Sequence, residues 1–165
     1  MPTRDATVHA STVHASAVLA GARAVLIRGA SGSGKSQLAL QLVQAARGGV
    51  LPFARLVGDD RVHLQAAGGR LLVRPAPVLA GLIEVRGLGI VRLPYEACAV
   101  VGLVVDLKAD AERLPAAERR QTEIERVRLP RLAVAAGEAA LPAVLTLLTS
   151  SAQGLAETLG IKSEQ

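Results

Sequence analysis

The chain reads as a single α/β domain that carries β-hairpins. Three observations predict this. A glycine-rich loop, Gly29 to Gly34, lies between a short apolar run and an amphipathic segment. Short apolar runs meet in pairs across glycine turns, as hairpin strands do. One longer run, Val100 to Leu107 (VVGLVVDL), is apolar enough to be a strand buried on both faces. At 165 residues, half of them apolar and a fifth charged, the chain has single-domain length and can bury a self-supporting core. No linker divides it.

In order, residues 1–12 read as a lead-in to a domain spanning 13–149. Ala17–Ala20 and Ala24–Ile27 flank a Gly21-Ala22 turn, which predicts a hairpin or adjacent strands. From Ser36, SQLALQLVQAAR places Leu38, Leu42 and Ala45 on one face with Leu40 and Val43 nearby, a helix ended by Gly48-Gly49. Arg55–Gly58 is a strand running into Asp59-Asp60. Val62, Leu64 and, beyond Gly68-Gly69, Leu71 and Val73 alternate as in a meander. Residues 81–93 mix extended apolar residues with three glycines. Residues 109–126 are charged and read as helical or irregular surface. Residues 138–149 form a helix with Leu141, Val144, Leu145 and Leu148 inward, and 150–165, weakly periodic, are expected to be disordered.

Composition narrows the function. Phe53 and Tyr95 are the only aromatic residues, so base-stacking nucleic-acid modules are excluded. The net charge of +5 includes 16 arginines, but they are scattered and form no basic run, which argues further against nucleic acid. Cys98 stands alone, so neither a disulfide framework nor a cysteine-rich zinc site exists, and it reads as a half-buried hydrophobe. No run of 18 apolar residues suggests a membrane span, and Asp5, His9 and His14 interrupt any signal sequence. The expectation is a cytoplasmic protein without a membrane partner.

Gly29-Ala30-Ser31-Gly32-Ser33-Gly34-Lys35-Ser36 matches the phosphate-loop pattern G-x-x-x-x-G-K-[ST] in full. The glycines let backbone N–H groups turn inward around an anion, and the following helix aims its positive end at it. Lys35 reaches the β- and γ-phosphates and the Ser36 hydroxyl suits Mg²⁺. Nucleoside triphosphate or pyrophosphate binding follows. Asp59-Asp60 closes the next strand, where such proteins place a carboxylate for Mg²⁺ or a base. Taken alone, the pair would also suit a solvated turn. In Gly81 to Ile90 (GLIEVRGLGI), Glu84 and Arg86 stand two apart, so in an extended segment they share a face. That pairing suits metal ligation with charge neutralisation, or equally a structural ion pair.

GASGSGKS, VGDD and LIEVRGLGI together resemble the catalytic domain of HPr kinase/phosphorylase, over about residues 13–148, and in particular the short, catalytic-domain-only forms of alphaproteobacteria. The resemblance implies a fold of the phosphoenolpyruvate-carboxykinase kind, with a mixed sheet. It implies transfer from ATP, or pyrophosphate, to a serine of the carrier protein HPr, and a reverse phosphorolysis by inorganic phosphate that releases pyrophosphate. It implies assembly as hexamers. By the same resemblance Asp60 is the base, Asp59 supports the metal or orients Asp60, Glu84 joins Ser36 at Mg²⁺, Arg86 sits beside the phosphates, and His14, fifteen residues before Gly29, handles phosphate. His63 matches nothing. A catalytic arginine is expected in the C-terminal part, within a proline-glycine-arginine-asparagine stretch. Here the segment reads Val127-Arg128-Leu129-Pro130-Arg131-Leu132-Ala133-Val134, without that glycine and asparagine. Arg131 aligns best and Arg128 competes with it. The rival readings are a small-molecule P-loop kinase and a non-catalytic module that senses ATP or phosphate.

Overall fold

A computed structural model describes residues 11–150; expectations for residues 1–10, His9 among them, and for the tail from 151 lie outside the described residues. In chain order the elements are β1 (Ser11–Val13), β2 (Ala15–Ala20), β3 (Arg23–Arg28), α1 (Lys35–Arg47), β4 (Ala54–Gly58), β5 (Val62–Ala67), β6 (Arg70–Pro75), β7 (Leu82–Val85), β8 (Gly89–Arg92), β9 (Ala99–Leu107), β10 (Gln121–Ile124), β11 (Val127–Val134) and α2 (Leu141–Thr149). The fold is mixed α/β with one large mixed sheet. Its order is β1-β5-β6-β9-β3-β2-β4, with β11 also along β9 and β10 along β11, while β7 and β8 pair as a separate hairpin.

Direction within the sheet matters for function. β3 and β11 each run parallel to β9, and β2 runs antiparallel to both β3 and β4. β4, β3, β9 and β11 therefore end at the same edge, the edge at which α/β sheets bind ligands. The first hairpin forms as predicted, with Ala17 opposite Leu26. Successive residues of β3 serve opposite faces: Val25 and Ile27 pack with Leu38 and Leu42 of α1 and Val144 of α2. Ala24 and Leu26 pack with Leu64, Leu71 and Val73, where β5 and β6 curl over the other face. β9 supplies both cores, which is why its sequence lacks polar alternation.

Some expectations change. Ser11 and Thr12, read as lead-in, form β1, because the edge of β5 pairs their backbone groups. The same ladder brings Thr12 Oγ1 to 3.0 Å from His63 Nδ1, a structural contact for the histidine that matched nothing. Residues 121–124, read as helical or irregular, are β10, closed onto β11 by the two-residue turn Glu125-Arg126. Both turn residues have positive φ (50° and 63°) with none of the usual Asn-Gly chemistry. In α2 it is Leu147 that is buried with Val144, while Leu141, Leu145 and Leu148 are partly buried. Cys98, just before β9, is exposed, not half-buried. Among the described residues no helix is long and apolar enough to cross a membrane.

Candidate functional site

The connection from β3 to α1 is the glycine-rich loop, and it lies at the strand-end edge. The first turn of α1 has neither a capping side chain nor an acidic residue, so its amides and positive end are free to serve an anion. Lys35 is only 7% exposed. Its Nζ donates to Gly29 O at 2.8 Å and Ala30 O at 3.1 Å, neither of them an acid. A side chain at position 29 would collide with the Ser33 hydroxyl, itself buried without a hydrogen-bond partner among the described residues. A compact cradle of donors with a cation at its base fits a phosphate chain.

Beside it, Asp59 and Asp60 take different parts. Asp59 is buried. It accepts from Ser16 Oγ at 2.6 Å, from Ser36 Oγ at 2.8 and 2.9 Å, and from the Glu84 amide at 3.3 Å. This ties the loop's last residue to the end of β4. Asp60 adopts φ 66°, an uncommon conformation for a residue with a side chain. It projects outward, 60% exposed, with Oδ1 3.5 Å from His14 Nδ1. Glu84, on β7, reaches Asp59 through its backbone amide and carries an exposed side chain.

The residues present suit Mg²⁺. Among the described residues no cluster of three or more His, Cys, Asp or Glu forms a ready-made metal cage. Magnesium does not need one: it is usually held by one or two carboxylates together with substrate phosphates. Asp59, Glu84 and the Ser36 hydroxyl are an all-oxygen set of that kind.

Two predicted residues stand apart. β7 ends at Val85, so Arg86 falls in the hairpin turn, exposed, and does not share a strand face with Glu84. There the chain turns through Arg86-Gly87-Leu88, with Gly87 at positive φ, and β8 begins at Gly89. Arg131, on β11, is held by Asp106 across the neighbouring strand, Nε to Oδ2 at 2.5 Å. Arg128 lies on the opposite-end half of β11, where the strand pairs with β10.

The Asp106 cluster flanks the loop on the side away from Asp59. Arg28, immediately before Gly29, makes a two-pronged contact with Asp106, at 2.7 and 2.9 Å. Two residues beyond Asp106, Lys108 Nζ donates to Gly32 O at 3.2 Å. Burial pushes the Asp106 carboxyl up, but the hydrogen bonds and charges of Arg28 and Arg131 outweigh it and hold the group below the usual carboxylate range. A lowered native value stabilises the fold above the unfolded-state value, about 3.9, and that contribution fades as pH falls through the native value. Asp106→Asn should therefore lower stability at neutral pH by about 2 kcal/mol, the scale of hydrogen bonds to charged groups. Urea titrations at a series of pH values should show the gap from wild type closing below about pH 4; a gap independent of pH would contradict this account.

Ser16, Arg28, Asp106 and Lys108 did not figure in the sequence reading. Their signals were present but faint: a hydroxyl inside the apolar ASAVLA run, and charges at the ends of the two most apolar strands.

A profile of the HPr Serine kinase C-terminal domain matches residues 5–145. The chain belongs to that family. HPr kinase/phosphorylase from Clostridium tetani is 40% identical over 86 residues, 51% of this chain and 25% of that protein. The protein of the same name from an Exiguobacterium strain is 46% identical over 68 residues, 41% of this chain and 20% of its own length. The matched stretches thus span a quarter or less of these two relatives. A solved structure, the Hpr(Ser) kinase/phosphatase from Coxiella burnetii, superposes with a TM-score of 0.67 at 25% identity, covering 84% of this chain and 93% of that one. This HPr-kinase-family chain therefore shares its mixed α/β architecture, over most of its length, with an enzyme named for HPr.

Proposed function

We propose that the chain is an ATP-dependent protein kinase that phosphorylates a serine of an HPr-type carrier, and that the same site runs the reverse phosphorolysis. The observation that carries this reading is the sequence of strand ends along one edge. Asp59 and Asp60 end β4, His14 and Ser16 open β2, the loop follows β3, and Asp106 and Lys108 close β9. Lys35, Ser36 and the α1 amides hold and neutralise the triphosphate, which is most of what phosphoryl transfer asks of a protein. Mg²⁺ would be held by Ser36, Asp59 and Glu84, and when bound it draws charge from the phosphate oxygens.

Asp60 takes the serine proton as the serine oxygen bonds to phosphorus and ADP leaves. His14, 3.5 Å away, orients that carboxylate. In reverse, inorganic phosphate takes the phosphoryl group, pyrophosphate leaves, and Asp60 returns the proton to the serine oxygen. Pyrophosphate is an alternative donor for the forward step. Arg86, at the hairpin tip, and Arg131, beyond Asp106, are assigned to the phosphates from opposite flanks. We read the fold as the phosphoenolpyruvate-carboxykinase kind, and the protein as a cytoplasmic homo-oligomer, a hexamer in this reading.

Incubation with ATP, Mg²⁺ and either HPr or small hydroxylic metabolites tests it. Phosphoserine on HPr is the expected product. Label on a metabolite instead points to a small-molecule P-loop kinase, and capture of HPr without phosphoserine points to a non-catalytic sensor.

A further inference from the structure

The opposite end of the same strands carries a feature that the phosphate loop does not use. β6 and β11 lie along one edge of β9 and leave a gap between them. β6 pairs with Ala99 and Val100, and β11 pairs from Val104 onward. The first half of β11 turns away to pair with β10. The sheet forks there, and the fork is a cleft of about 300 Å³ lined by Arg23, Arg70 and Arg128.

The local geometry brings these arginines together. Continuing the β6–β9 register by two residues sets Arg70 opposite Gly102. Arg23 starts from the other side of β9, on β3, and packs across Gly102, where a methyl group would stand 2.6 Å from Arg23 Cβ. Gly102 is also skipped between the pairs Ala24–Val101 and Val25–Leu103, so β9 bulges at this point. Glycine at the bulge gives Arg23 its path into the cleft. None of the three guanidiniums has an ion-pair or side-chain hydrogen-bond partner among the described residues. Glu123 stands opposite Arg128 in the β10–β11 ladder yet forms no ion pair with it. Three unpaired cations around one concavity focus positive potential, and guanidinium forks match phosphate oxygens in bidentate fashion.

We propose that this fork is a second anion site, separate from the Gly29–Ser36 loop, which binds a small phosphate-bearing anion of two or more negative charges. The cleft has the size of a small-ligand pocket, and the three arginines line that one concavity instead of forming the stripe that a polyanion would follow. The site does not depend on the kinase reading.

Calorimetric titration of the full chain carrying Lys35→Ala with inorganic pyrophosphate tests it, because that substitution weakens the loop site. Saturable binding of one equivalent is expected. Adding Arg70→Ser or Arg128→Ser should weaken it about tenfold each, the scale of one charge-assisted contact. Gly102→Ala should weaken it too, by displacing Arg23. Arg92→Ser, which removes an exposed charge on β8, should leave it unchanged and controls for net charge. No binding to the Lys35→Ala protein, equal loss with Arg92→Ser, or full binding after both arginine changes would overturn the proposal. So would capture of a polynucleotide or acidic peptide that pyrophosphate fails to displace.

Discussion

Replacing Asp60 by asparagine should abolish phosphoryl transfer to HPr, with a loss of about 10³-fold, while nucleotide affinity stays within about twofold of wild type. The structure separates the two effects. Among the described residues Asp60 forms no hydrogen bond or ion pair with the loop; its side chain is 60% exposed and is paired with His14. Asparagine tolerates the left-handed backbone at φ 66° as well as aspartate does, so the turn keeps its shape. An amide can still hydrogen-bond a serine hydroxyl but cannot carry its proton away. Phosphorolysis should fall by a similar factor, since the same amide has no proton to return. His14→Ala should cost less, about tenfold, because an exposed partner at 3.5 Å orients the carboxylate without replacing its chemistry. Paired assays, phosphoserine formation and a nucleotide titration, check both halves. Transfer by Asp60→Asn within a few-fold of wild type would remove Asp60 from the role of base.

How much of this was legible in the sequence follows from how far apart the interacting residues lie. The loop GASGSGKS, the hairpin across Gly21-Ala22 and the strand around Val100–Leu107 are local patterns, and each forms where its glycines and periodicity place it. The division of labour between Asp59 and Asp60 is not local. It depends on Ser16, 43 residues away, which draws Asp59 inward, and on a backbone turn that aims Asp60 out. Arg28, Asp106 and Arg131 look like scattered surface charges along the chain. Parallel pairing of β3, β9 and β11 sets them side by side although Arg28 and Asp106 are 78 residues apart. The Glu84–Arg86 reading went astray for the opposite reason: a period of two was carried one residue past the end of β7. β10 and β11 are not announced by the sequence because Glu125-Arg126 turns without the residues that usually mark a hairpin.

The two phosphate-side acids should also differ in what they do for the fold, and Asp59 gives the second large effect. Asp59 is 4% exposed and takes hydrogen bonds from Ser16, Ser36 and the Glu84 amide. Asp59→Ala leaves the fully buried Ser16 hydroxyl with its acceptor gone, and should cost about 3 kcal/mol, the upper range for an orphaned buried donor. It should also end transfer, but that result alone would not separate a damaged fold from lost chemistry. Asp59→Asn makes the separation. Its amide oxygen keeps one acceptor in the same place, so stability should fall by about 1 kcal/mol. The negative charge is gone, however, and with it the carboxylate that pairs with Ser36 at the proposed Mg²⁺ position. Transfer should drop at least about 100-fold, and excess Mg²⁺ should restore part of it if weaker metal binding is the cause. Denaturant titration together with rates measured across a Mg²⁺ series reads both quantities. A stable Asp59→Asn protein that transfers at the wild-type rate and Mg²⁺ dependence would leave Asp59 as a structural acid only, and would move the metal to Glu84 and the substrate phosphates.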